Sequence, residues 1–121
     1  MSGNDEAERK EKVIQSSQAH IGQLLKMVSP LKDQQFHEWD RQVRSGAYLY
    51  GWPDHILDKD TPRPAEADLT LKNKCEEKNA YVIITKTADT HAKAAMLASV
   101  PMGDAKAAYN MVVSWTQRAA V

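Results

Sequence analysis

Apolar residues recur along much of this chain at intervals of three and four, the spacing that lines up side chains on one face of an α-helix. The clearest case runs from Phe36 to Trp52. Phe36, Trp39, Val43, Ala47 and Tyr50 form one stripe, and Glu38, Asp40, Arg41 and Arg44 cover the other side. Burying each large apolar side chain contributes about 1.5–3 kcal/mol relative to exposure, so this helix is expected to be the element around which the rest folds. Gly51 and Pro53 end it, because glycine accepts a left-handed cap and proline lacks the donor that a continuing helix needs.

The same spacing predicts helices elsewhere. Val13, Ile14, Ile21, Leu24, Leu25 and Val28 point to a helix ending at Ser29, before Pro30, and weakened by Gly22. Residues 1–12 are small or charged, and are expected to be a frayed N-terminus ahead of a single helical domain over 13–121. Leu31 to Gln35 reads as a link, with Asp33 available as a cap. After Gly51, Trp52-Pro-Asp-His-Ile-Leu57 reads as one helical turn with Pro53 at its first position and Trp52, Ile56 and Leu57 inward. Thr61-Pro-Arg-Pro64 favours an extended, exposed connection.

The segment from Glu66 to Thr87 admits two readings. Tyr81-Val-Ile-Ile-Thr85 alone has the composition of a strand, whereas Leu71, Cys75, Ala80, Val82, Ile83 and Ile84 suit a helix buried on a wide face. Length and the helix-forming lead-in Lys72–Lys78 favour helix, and no second strand is available for pairing. Asp89 or Thr90 can cap a further helix with Ala92, Ala95, Met96 and Leu97, closed near Ser99 by Pro101. Gly103 and Asp104 open the last, with Ala105, Ala108, Tyr109, Val112 and Trp115 on one stripe. The predicted fold is all-α: a bundle of five or six short helices with mixed crossing angles, its core including Phe36, Trp39, Val43, Trp52, Val82, Ile83, Tyr109 and Val112.

Charge narrows the function classes. The 121 residues carry 16 basic and 16 acidic side chains, a balance that disfavours a dedicated nucleic-acid-binding domain. Cys75 is the single cysteine, so the chain has no internal disulfide framework and no cysteine-rich zinc site. The charged N-terminus and the lack of any apolar run near 18–20 residues argue against a membrane protein, and a cytoplasmic location is expected.

Candidate chemistry is sparse. His20, His37, His55 and His91 lie in different segments, none four residues from another as a helical metal pair would be, and a surface role is expected for each. Cys75 on a helix stripe reads as a small buried hydrophobe. The five glycines are isolated, with no phosphate-cradling loop. Neither a catalytic residue nor a metal, cofactor or small-molecule substrate is expected.

The order of these features resembles the Gag capsid region of copia-type LTR retrotransposons. The likeness begins at Phe36-His-Glu-Trp39, with Val43 and Leu49 following and Gly51-Trp52 closing the ladder. It resumes at Asn79-Ala-Tyr-Val-Ile-Ile84, similar to the helix that in these proteins precedes a variable segment, here Thr87 to Leu97. Gly103-Asp-Ala-Lys-Ala-Ala-Tyr109 is similar to the family's small-residue motif, with Ala107 in place of its usual acidic residue and Tyr109 in place of its usual Trp.

The resemblance implies a retroviral-capsid N-terminal-like domain that self-associates into a shell around element RNA, with RNA bound through other parts of a longer protein. The stretch to Val121 is expected to be too short for a second capsid domain, and it lacks a zinc knuckle and an Asp-Ser/Thr-Gly protease motif. A capsid fragment, a degenerate element and a host-retained copy all fit that description. Homo-oligomer contacts are expected on the N-terminal helix, through Ile14, Ile21, Leu24, Leu25 and Val28, and on the exposed side of the last helix. The rival reading is a helical adaptor whose groove, lined by Met27, Met96, Met102 and Met111, takes an amphipathic segment of another protein.

Overall fold

A computed structural model describes residues 2–31 and 35–119, with side chains from residue 5 to residue 116 outside that gap. The protein is all-α. Five helices run in order: α1 (Ser2–Met27), α2 (Phe36–Tyr50), α3 (Leu71–Thr87), α4 (Thr90–Ser99) and α5 (Ala105–Ala119), with 3-10 turns at Asp54–Ile56 and Glu66–Asp68. Tyr81–Thr85 is helical, and the described residues contain no strand.

At 1.5 Å per residue α1 is about 39 Å long. Residues 1–12 were expected to fray, but the helix is continuous from Ser2, and every side chain from Asp5 to Lys12 is exposed. Charged and polar pairs one turn apart support this stretch: Glu6 meets Lys10 at 3.8 Å, and Gln15 donates to Glu11 at 3.2 Å. From Val13 onward the helix lies on the body. Ser17, Leu24 and Val28 are buried along one side, with His20 and Ile21 half-buried beside them.

α2 buries Trp39, Val43 and Gly46, while Phe36, Ala47 and Tyr50 flank them half-buried. Gly46 is where α1 comes closest: a Cβ there would stand 2.5 Å from Leu24 Cδ2, so only glycine lets the two helices approach this far. Gly51 caps the helix at φ +68°, and Trp52 N–H donates to Ala47 O at 2.9 Å. The Asp33 cap lies outside the described residues, and Gln35 at the cap position makes no side-chain hydrogen bond there. Pro53 precedes the following turn as its cap and is not its first residue.

The helix the others gather round is α3, not α2. It packs on α1, α2, α4 and α5, with the α1 contact the most extensive. Thr70 Oγ1 caps it by accepting from Asn73 N–H at 3.0 Å. Ala80, Ile83, Ile84 and Thr87 face the core, and Glu76, Glu77 and Asn79 are buried as well. Val82 is half-buried and outside the core cluster, a correction to its expected place, because its neighbours Ala80, Ile83 and Ile84 take the inward positions.

Asp89 caps α4, and Asp104 caps α5 by accepting from Ala107 N–H at 3.0 Å. α4 buries only Ala92 and Met96, and Leu97 turns outward. Ala105 and Ala108 are fully buried, letting α5 lie close against its neighbours, and Tyr109 and Val112 complete its inner side. Trp39, Val43, Trp52, Ile83, Tyr109 and Val112 thus share one core, with Phe36 packed at its edge.

Candidate functional site

Three polar clusters hold the bundle, each built from residues far apart in the chain. In the first, Glu76 of α3 is fully buried against α1. Ser17 Oγ donates to Glu76 Oε1 at 3.2 Å, and His20 Nδ1 lies 3.0 Å from the same oxygen. Asn79 Nδ2 donates to Ser17 O at 2.6 Å, and the His20 ring packs on Tyr50 at 4.3 Å between centroids. Hydroxyl and imidazole both address one carboxylate oxygen, so the group clamps α1 to α3 and lacks the hydroxyl-to-imidazole order of a nucleophile relay.

The second cluster centres on Glu77. Arg63 forks onto both its oxygens, Nε to Oε2 and Nη2 to Oε1, each at 2.9 Å, and His55 Nε2 lies 2.7 Å from Oε2. Arg63 also donates to Glu66 Oε2 at 2.8 Å. Burial pushes the Glu77 carboxyl up, but the Arg63 fork and His55 outweigh it and leave the group below the ordinary glutamate value. Lys106 of α5 ties down the same connection. Its Nζ donates to the carbonyls of His55, Asp58 and Thr61 at 3.1, 2.8 and 2.6 Å, and to that of Lys59 at 3.4 Å.

In the third, the Tyr109 hydroxyl donates to Asp40 Oδ1, and Arg44 donates to Asp40 Oδ2 at 2.9 Å and to the Tyr109 oxygen at 3.0 Å. Burial and the neighbouring Asp40 push the Tyr109 hydroxyl up to about 12. Its ring stacks on Trp39, whose Nε1 donates to Thr87 Oγ1 at 2.8 Å.

Several expected positions need correction. His55 is buried and His20 half-buried, each on a glutamate, because they clamp separate segments onto α3; only His37 and His91 are exposed. Among the described residues no three His, Cys, Asp or Glu side chains are grouped to hold a metal. Cys75 is half-buried and lines a cleft of about 230 Å3 between α1 and α3.

Of the proposed contact residues, Leu24 and Val28 are buried and Ile21 packs against the core, since that side of α1 is spent inside the bundle; Ile14 and Leu25 are 39% and 38% exposed. The methionines do not share a groove: Met96 is fully buried, Met27 and Met111 pack on the core, and Met102 is 92% exposed.

The most exposed aromatic side chain lies outside the predicted core and contact faces. Tyr48 is 88% exposed, beside Leu49 at 63%, on the outer side of α2. Two open grooves flank its ring. One, of about 610 Å3, is bordered by His37, Arg41 and Leu49, and the other, of about 500 Å3, by Trp52, Asp54 and Asp58. The signal was in the register: with Val43, Ala47 and Tyr50 inward, Tyr48 must face away from the core.

The chain matches no protein-family model, no curated protein and no solved structure. Among the described residues no helix is long and apolar enough to cross a membrane.

Proposed function

We propose that this chain is a non-enzymatic building block of the Gag capsid type, which self-associates into an oligomer or shell that packages element RNA. The observation that carries the reading is an inversion of the usual distribution. Glu76, Glu77, His55 and Asn79 are buried and joined to partners, while Tyr48, Leu49, Leu97 and Met102 stand 63% to 92% exposed. The polar groups clamp helices together, and the outward apolar groups are free to meet another surface.

The family resemblance points the same way. Trp39 and Tyr109, which carry two of its blocks, stack at 6.3 Å in the centre of the bundle. RNA would be held by other parts of a longer protein in the cytoplasm. Light scattering and negative-stain microscopy over a concentration and salt series test the reading. Concentration-dependent growth into closed particles or defined oligomers is expected, and a strict monomer at the highest concentration overturns it.

A further inference from the structure

We infer that residues 55–61 form a cage of backbone carbonyls sized for an ammonium or potassium ion, and that the Lys106 side chain is the tethered occupant of this cation site. Four oxygens converge on its Nζ, those of His55, Asp58, Lys59 and Thr61, at 3.1, 2.8, 3.4 and 2.6 Å. An ammonium has three hydrogens to donate, so the fourth and most distant carbonyl answers to its charge. Lys106 forms no ion pair with a carboxylate among the described residues, and the nearby Asp58 carboxylate bonds to the Asp60 amide and the Thr61 hydroxyl. The charge is thus met by carbonyl dipoles, as a potassium ion is when protein carbonyls replace its water shell.

The position of Lys106 shows how strongly the cage draws a cation. It lies in the first turn of α5, where the helix dipole opposes a positive charge, and the carbonyls must outweigh that cost. The cage is also held in shape without it. His55 and Arg63 are fixed on Glu77, Ile56 is buried, Arg44 reaches the Leu57 carbonyl at 3.4 Å, and Asp58 closes the turn on Asp60 and Thr61. Removing the ammonium therefore leaves four carbonyls facing one another with no charge to balance them. Lys106 is only half-buried, so a free ion of the same size can reach the space it leaves.

Unfolding of the full chain in equal concentrations of potassium, ammonium, lithium and tetramethylammonium chloride tests this with two variants. Lys106→Ala empties the cage, and Lys106→Met fills it without a charge. In tetramethylammonium chloride, whose cation is too bulky to enter, both are expected to lower the folding equilibrium constant by about tenfold to a hundredfold. Potassium or ammonium, titrated to about ten times its apparent Kd, should raise that of Lys106→Ala by roughly tenfold. Lithium is too small to reach all four oxygens and should give no such gain. The parent and Lys106→Met should show no preference among the salts, because their cages are already filled. If Lys106→Ala does not fold in tetramethylammonium chloride, folding in potassium or ammonium chloride supports the cage equally. Equal stability of Lys106→Ala in all four salts, failure to fold in all four, an equal gain from lithium, or the same preference in Lys106→Met overturns the inference.

Discussion

Tyr109 on α5 donates its hydroxyl hydrogen to Asp40 on α2, joining residues 69 positions apart beside the stacked Trp39 ring. Arg44 completes the group from one turn further along α2. The Tyr109 hydroxyl thus has both an acceptor, Asp40, and a donor, Arg44, on α2.

Alkali should therefore weaken the fold through this residue. The hydroxyl is held at about 12 in the folded chain against an ordinary value of 10.0, so the unfolded chain loses its proton first. The contribution is fully present below pH 10 and declines as pH rises through 12. Urea unfolding between pH 8 and 12 is expected to show that loss, and Tyr109→Phe should remove most of this pH dependence. At pH 7 the same variant should cost about 1.5–3 kcal/mol, the range for a hydrogen bond to a charged group.

Glu77 produces the opposite dependence. Its carboxyl sits below the ordinary value of 4.5 once the Arg63 fork and His55 overcome burial, so its stabilisation is present above that value and is lost as pH falls through the depressed one. Glu77→Gln should flatten the acid limb of a stability profile measured below pH 5. Breaking a buried pair costs about 3–5 kcal/mol, and because Arg63 is 36% exposed the expected loss at pH 7 is reduced to about 2 kcal/mol. An unchanged acid limb would show that the Arg63 and His55 contacts do not hold the Glu77 carboxyl below its ordinary value.

These clusters also show what could be read from the sequence. α2 and α5 were legible because their buried sides follow a single stripe, and Gly51, Gly103 and Asp104 mark their ends. The central place of α3 was not. Its buried surface includes Glu76, Glu77 and Asn79, which a hydropathy reading assigns to solvent, and the partners that satisfy Glu76 and Asn79 lie 56 to 62 residues away in the chain. Separation along the chain also hid the roles of His20 and His55, which lie 56 and 22 residues from their glutamates. Nothing in the sequence marks Lys106, because its work of gathering the carbonyls of residues 55–61 depends on a loop whose path only the assembled bundle defines.

Two glycine-to-alanine substitutions should change stability in opposite directions. At Gly46 the new Cβ would stand 2.5 Å from Leu24 Cδ2, and Leu24 is fully buried, so overpacking of about 1–3 kcal/mol should exceed the gain of about 1 kcal/mol in helix propensity. At Gly22 nothing lies within 4 Å of the added methyl, and alanine should stabilise the chain by about 0.5–1 kcal/mol. Thermal unfolding of the two variants checks the pair. A stable Gly46→Ala protein would mean that α1 can shift away from α2 at little cost.

One substitution made at two tryptophans separates packing from hydrogen bonding. Trp39 and Trp52 are both buried, but Trp39 Nε1 donates to Thr87 Oγ1 at 2.8 Å, whereas Trp52 Nε1 is buried without a partner among the described residues. Replacing either by phenylalanine removes an indole N–H and some apolar volume. At position 39 the loss of volume adds to the loss of a bond, and about 2–4 kcal/mol of destabilisation is expected. At position 52 relief from an unsatisfied donor, worth about 1–3 kcal/mol, offsets the volume lost, and the net change should lie within about 1 kcal/mol of zero. Urea denaturation followed by far-ultraviolet circular dichroism measures both without depending on tryptophan fluorescence. Equal losses at the two sites would mean that the indole N–H of Trp52 carries no penalty in the folded chain.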